Sequence, residues 1–262
     1  MEKRNVLLTI EYDGTNFSGW QRQPSVRTVQ GELERVLSVL CAVPISINGT
    51  SRTDAGVHAL GQRASFEAEF GIPIEKIAPV ANSLLAESKL AGCGDVRILK
   101  AEQKPEDFHA RFDCKGKKYI YKIRCAENAD VFLKNYRYQL TEKLDTQAMR
   151  AAAAYIVGTH DFKCFQAAGG EEKKTTVRTV YSLEIKENAI GDALDVDIEI
   201  KGDGFLYNMV RIITGTLVEV GLGKRRPEEL GQIIESCDRC TAGHTAPPQG
   251  LYLAEVYYED LV

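Results

Sequence analysis

The spacing of the apolar residues switches repeatedly along this chain, and that switching is the strongest limit on what it can fold into. Val6, Leu8, Ile10 and Tyr12 recur at every second position before Asp13-Gly14, the pattern of a strand that ends in a turn. Val29, Leu33, Val36, Leu37 and Leu40 then follow helical spacing, with Thr28 placed to cap the first turn. Two strands joined by a polar turn are expected from Ile45 to Phe66, followed by a helix over 74–85 and a strand over 95–100.

The second part of the chain repeats the mixture. It predicts a long strand over 115–124, an alanine-rich helix beginning near Asp145 and stopping at Gly158, and strands over 177–185 and 194–200. In the last of these, Leu194, Val196, Ile198 and Ile200 face one way and Asp195, Asp197 and Glu199 the other, as a half-buried sheet requires. A helix over 205–220 carries Leu206, Met209, Val210, Ile213, Leu217 and Val220 on its buried stripe. Pro227 opens a short helix, 251–258 is a strand, and 167–175, glycine followed by charge, reads as a mobile loop. The fold class is α+β with largely antiparallel sheet.

The 262 residues, 44% of them hydrophobic, suffice for one large domain or two small ones around a sizeable core. No charged-then-apolar leader opens the chain and no apolar stretch approaches the length that spans a bilayer. A soluble, cytoplasmic protein with no membrane partner is expected. The seven cysteines, Cys41, Cys93, Cys114, Cys125, Cys164, Cys237 and Cys240, are odd in number and scattered, and read as reduced thiols. A net charge of −4 argues mildly against a polyanionic partner, because phosphate neutralisation drives non-specific nucleic-acid binding. An RNA site would need a local basic surface. Candidates are Lys115, Lys117, Lys118, Lys122 and Arg124; Lys134 and Arg137; Lys173, Lys174 and Arg178; and Lys224, Arg225 and Arg226. Each cluster taken alone reads equally as solvated surface charge.

Cys237 and Cys240 have the spacing of half a zinc site, but no second pair lies near them in sequence. The four histidines, His58, His109, His160 and His244, are isolated from one another, so no metal cluster or paired acid and base can be assembled. No glycine-rich phosphate loop ending in lysine and serine or threonine is present. Chemistry without metal or cofactor is the simpler expectation. The segment that concentrates reactive groups is NGTSRTDAGVHALGQ, residues 48–62. Extended backbone there puts Arg52 and Asp54 on one side, flanking Thr53, at the mouth of a turn that Gly56 and Gly49 permit. The residues alone leave two readings open: an aspartate that caps its own turn with Arg52 as a surface partner, or a carboxylate presented for chemistry.

Five segments, GWQRQPSVRTVQGELE (19–34), SRTDAGVHALGQ (51–62), DFHARFDCKGKKYIYKI (107–123), FLYNMVRIITGTLVEVG (205–221) and QGLYL (249–253), resemble in this order the motifs of the tRNA pseudouridine synthase A family. The resemblance runs nearly end to end. One departure is Ser51, where the family usually shows glycine, a change that would stiffen the approach to the loop. The segment 167–175 also varies in the family.

The resemblance implies two ferredoxin- or RRM-like α+β halves with antiparallel sheets, 1–104 and 105–262, meeting at a central catalytic cleft. It implies uridine-to-pseudouridine isomerisation at positions 38 to 40 of the tRNA anticodon stem-loop, by a homodimer and without a cofactor. By resemblance Asp54 is the nucleophilic carboxylate, and Arg211 pairs with it. The residues alone also allow Arg211 to be a solvated helix arginine paired with Glu219. Tyr119 stacks on the target uracil and Tyr121 packs, although residues two apart on a strand share a face and the two roles could be exchanged. Arg52 fills the gap left by the everted base or meets a neighbouring phosphate. Leu206 and Asn208, within 204–208, form the pocket edge.

Overall fold

The computed structural model describes residues 3–87, 94–170 and 174–260. The chain divides into two compact units, Met1–Lys115 with Tyr252–Val262, and Gly116–Leu251.

The first unit opens with strand β1 (Lys3–Tyr12), helix α1 (Val29–Cys41) and a two-residue strand β2 (Asn48–Gly49). Strand β3 (His58–Glu69), helix α2 (Ile74–Ala86) and strand β4 (Val96–Lys104) follow. In space the strands run β4-β1-β3-β2, antiparallel at each step, the order of a ferredoxin-like unit. Val6 and Leu8 lie opposite Phe66 and Ala64, and all four are buried. Thr28 Oγ1 accepts the Gly31 N–H at 3.3 Å as the cap, and Val29, Leu33, Val36 and Leu37 are fully buried, each contributing about 1.5–3 kcal/mol.

Two expectations change here. Leu7, on the face of β1 opposite Val6 and Leu8, is buried too, because the segment after β4 crosses that face. Asn5 Nδ2 donates to the carbonyls of Pro105 (2.9 Å) and Phe108 (2.7 Å), and Ala110 N donates to Ser65 Oγ at 3.1 Å. The first of the two strands expected between Ile45 and Phe66 shrinks to Asn48–Gly49. Side chains of α1 serve the preceding backbone instead: Ile45 N donates to Ser38 Oγ (2.9 Å), Ile47 N to Glu34 Oε1 (3.1 Å), and Gln30 Nε2 to Ile47 O (3.1 Å). A backbone whose donors and acceptors are already met by side chains needs no ladder partner.

The second unit comprises β5 (Gly116–Cys125), β6 (Tyr138–Leu140), α3 (Thr146–Ala153), β7 (Gly158–Asp161), β8 (Val177–Ile190), β9 (Ala193–Gly202), α4 (Met209–Gly221) and α5 (Glu229–Ser236). Its strands run β5-β9-β8-β7, antiparallel, with β6 parallel to the end of β5. The order β5-β9-β8 repeats β1-β3-β2, so both units carry the same α+β plan. Strand β8 runs five residues past the expected Ile185 because Gly191, at φ +59°, turns the chain directly into β9.

Val196, Ile198 and Ile200 are buried as the alternation required. The acidic face of β9 is tied down as well: Asp195 meets Arg124 (3.0 Å) and Arg137 (3.3 Å), Asp197 meets Arg137 (2.9 Å), and Glu199 meets Lys118 (2.8 Å) and Lys186 (2.8 Å). Three of the basic groups considered for an RNA surface are therefore neutralised across strands. Helix α4 departs from its expected single stripe, since residues around nearly its whole circumference are buried. A Cβ added at Gly215 would sit 1.8 Å from the His244 carbonyl oxygen.

The last strand, β10 (Leu251–Tyr257), belongs to the first unit from Tyr252 onward and lies parallel to β3, with Tyr252 opposite His58 and Leu253 opposite Ala59. Residues 171–173 of the expected loop, Lys173 of one basic cluster, and Cys93 lie outside the described residues. Among the described residues no helix is long and apolar enough to cross a membrane.

Candidate active site

The loop between β2 and β3 is held on its inner side at almost every residue. Gly49 is required by packing, not by the turn: a Cβ there would lie 2.4 Å from the indole of Trp20, which is itself buried. Thr50 Oγ1 donates to Ala110 O at 3.0 Å. Gln62, fully buried, straps Ser51 by both ends, accepting from its N–H at 3.3 Å and donating to its carbonyl at 2.6 Å. Thr53 points inward: its hydroxyl meets Tyr12 Oη at 2.7 Å and its carbonyl accepts from Trp20 N at 3.0 Å. Val57 N donates to Asp54 O at 3.2 Å, closing a turn around Gly56, whose φ of +78° favours glycine. With Thr53 committed to the interior, its two neighbours turn the other way. Arg52 is exposed and Asp54 half-buried. Just beyond, His58 Nδ1 accepts from Gly14 N at 3.1 Å, and its ring stacks on Tyr252 at 4.6 Å.

In the second unit Tyr119 and Tyr121 share one face of β5 and are buried to different ends. Tyr121 is fully enclosed; its hydroxyl donates to Pro247 O at 2.6 Å, and its ring is so close to Gly250 that a Cβ there would lie 2.7 Å away. Burial pushes its phenol well above the usual range, opposed by the nearby charge of Arg211. Tyr119 meets the ring of Phe205 edge-on at 5.2 Å. Leu206 is buried and accepts from Met209 N at 3.1 Å.

Arg211 sits in the first turn of α4, where the helix dipole disfavours a cation by about 0.3–1 kcal/mol. Two acceptors offset this: Nε donates to Ala246 O at 2.7 Å and Nη1 to Asn208 Oδ1 at 2.8 Å. Asn208 is held at φ +59°, a left-handed conformation uncommon outside glycine, which starts α4 at Met209, four residues later than the expected Phe205, and its amide oxygen accepts from the guanidinium. Glu219 lies two helical turns away and is held by Arg225 Nε at 2.6 Å and His244 Nδ1 at 3.0 Å, so the alternative partner for Arg211 is already occupied.

A family model described as tRNA pseudouridine synthase matches residues 8–113 and 152–259. The chain is 46% identical over 258 residues to tRNA pseudouridine synthase A 2 of Clostridium tetani, covering 97% of this chain and 99% of that one. It is 47% identical over 256 residues to tRNA pseudouridine synthase A of Acetivibrio thermocellus, and 45% over 257 residues to that of Ruminiclostridium cellulolyticum, in each case covering 97% of this chain and 100% of the relative. The chain belongs to the tRNA pseudouridine synthase family.

The two stretches matched by the family model contain Arg52, Asp54, Leu206, Asn208 and Arg211, and Tyr119 falls between them. The structure sets Arg52 and Asp54 on either side of the buried Thr53 in the first unit. It brings Tyr119 beside Phe205, and Asn208 against Arg211, in the second. Sequence reasoning missed Ala246 and Gln62, which act through a carbonyl and a buried amide. The signal for the first is Ala246-Pro247-Pro248, a rigid stretch just before a strand. Cys237 caps the end of α5 at φ +51° with its thiol on Ile234 O, and Cys240 is exposed. Among the described residues no group of three or more His, Cys, Asp or Glu is placed to hold a metal ion.

Proposed function

We propose that this chain converts uridine to pseudouridine in tRNA, with Asp54 as its reactive carboxylate. The family and the names of the relatives support the reaction and the substrate. The observation that carries the residue assignment is the inward commitment of Thr53, which turns Arg52 and Asp54 outward from a loop whose backbone is fixed. The isomerisation breaks the bond from N1 to the ribose, forms one from C5, removes hydrogen from C5 and returns one to N1. Atoms balance without a co-reactant. Asp54 serves this either by adding to the sugar carbon or by taking a proton as the glycosidic bond breaks.

A carboxylate enclosed by RNA drifts toward its neutral form unless a fixed cation opposes desolvation. Arg211 is assigned that task because a guanidinium stays charged and can grip two oxygens, and its hold by Ala246 and Asn208 supports a preset orientation. Everting a stacked uridine costs a few kcal/mol, and Tyr119 is assigned as the platform that receives it; the commitment of Tyr121 to Pro247 supports this division. Arg52, exposed beside Asp54, fills the vacated stack or meets a phosphate, and Leu206 and Asn208 border the base. The same reading places the targets at positions 38 to 40 of the anticodon stem-loop. It also takes the active form as a cytoplasmic homodimer, and gives 1–104 the carboxylate and 105–262 the completion of the cleft.

Release of tritium from uridine labelled at carbon 5 in a tRNA transcript tests the reading. Wild type is expected to release it, and Asp54→Asn to release it slower by on the order of a thousandfold or more. No release by wild type, or undiminished release by Asp54→Asn, overturns it. Free uracil in the product would show a glycosidase instead.

A further inference from the structure

Several cations of the second unit are paired: Lys118, Arg124 and Arg137 with the acids of β9, and Arg225 with Glu219. A different set gathers at one end of the sheet. There β7 finishes at Asp161, β8 begins at Val177 opposite it, and β9 finishes at Gly202 opposite Val180. The bond from Phe162 N to Thr176 O at 3.1 Å continues the pairing beyond the strands, so Lys163 and Lys174 lie at the same end of the sheet as Arg178. Among the described residues none of the three cations meets a carboxylate within ion-pair distance. Two acids described at this end are turned to backbone amides: Asp161 accepts from Lys163 N at 3.0 Å and Asp203 from Thr179 N at 3.0 Å.

Arg178 is anchored at the start of its own strand. Its guanidinium Nη1 donates to the carbonyls of Thr175 at 3.0 Å and Val177 at 2.5 Å. Its arm passes over Gly204, 3.5 Å from where a Cβ would stand, so it abuts the segment that continues into Leu206 and Asn208. Tyr207, in that segment, leaves 41% of its surface exposed. A planar cation held by neutral carbonyls keeps its full charge and remains able to meet a phosphate oxygen. A cation abutting the segment that carries an exposed aromatic suits a nucleic-acid strand, which offers both phosphates and base faces.

We propose that Arg178, with Lys163 and Lys174 at the same end of the sheet, is a phosphate-binding subsite for the RNA backbone bordering the nucleotide that enters at Leu206 and Asn208. This rests on the pseudouridine synthase reading for the identity of the RNA, but it adds a contact outside the reacting groups. The subsite positions the strand and does no chemistry, so its loss acts on binding.

Equilibrium binding of a tRNA transcript measured over a range of salt concentrations tests it. Replacing one phosphate-contacting cation is expected to lower the slope of log K against log salt by about one. For Arg178→Ala and Arg178→Gln, affinity at low salt should fall about tenfold, with KM for tritium release rising and kcat retained. Gln keeps a donor for the two carbonyls, so it preserves the local structure while removing the charge. Arg178→Lys should keep the slope, and Lys143→Ala, at the opposite end of the sheet, should bind as wild type. An unchanged slope in Arg178→Gln, or a loss in Arg178→Lys equal to that in Arg178→Gln, overturns the proposal. A wild type that binds with the expected slope difference but releases no tritium would overturn the synthase reading and leave this subsite standing.

Discussion

Residue 53 lies between two charged neighbours and turns a hydroxyl into the interior, where it meets Tyr12. That inward turn decides where Arg52 and Asp54 point, since neighbours along extended backbone alternate. Thr53→Val keeps the shape and deletes the hydrogen bond to the buried Tyr12 hydroxyl, and should destabilise by about 0.5–1.5 kcal/mol. Urea unfolding measures this, and tritium release should fall further than stability explains because the loop loses its anchor. A second contrast separates the two tyrosines of β5. Tyr121→Phe removes the donor to Pro247 and should lower the melting temperature with turnover nearly retained. Tyr119→Leu should do the reverse, lowering turnover by at least about tenfold, because a uracil platform acts only when substrate is present. Equal effects of both on turnover would count against the assignment. That Arg52 and Asp54 would face away from Thr53 was legible in the sequence through their spacing. Gln62 and Ala246 were not, because an amide or a carbonyl that orients another group looks the same in sequence as one that faces water.

Helix α4 shows the same limit one level up. Its apolar spacing was enough to find it, but not to tell that Gly215 and Thr216 lie beneath the segment 242–247, or that Asn208 would delay its start. The first of these depends on residues nearly thirty positions away. Gly215→Ala should be among the most damaging single-methyl changes in the protein, destabilising by about 2–4 kcal/mol, because the obstacle is a carbonyl of the backbone and not a movable side chain. The same segment is clipped to the far end of α4 by Glu219. Burial raises its carboxyl, but hydrogen bonds from Arg225 and His244 outweigh this and hold it at about 2. A folded value below the unfolded one means stability present above the ordinary carboxylate range and lost as pH falls toward 2. Melting curves from neutral to acid pH should show wild type ahead of Glu219→Gln by on the order of 1–2 kcal/mol at neutral pH, discounted for partial solvation, with the gap closing in acid.

For the molecule as a whole, the α+β class and most elements could be read from the change of apolar period, because strand and helix impose their spacing locally. Extents were harder wherever tertiary bonding replaced local bonding, as at 45–47, where side chains of α1 take over from a ladder. The relationship between strands far apart in sequence was not legible at all: nothing in residues 251–258 says that they lie against His58 and Ala59.

That last pairing bears on the order of events when the protein is made. Strand β10 brings to the first unit a ring stacked on His58, an acceptor for Lys115 N at 2.8 Å, and a tyrosine at 258 that meets Thr50 at 3.0 Å. All of these arrive only after residues 116–251 have been translated. A nascent chain therefore carries the loop of Asp54 out of the ribosome in an unfinished scaffold, and the carboxylate gains its firm footing only when the second unit has already emerged.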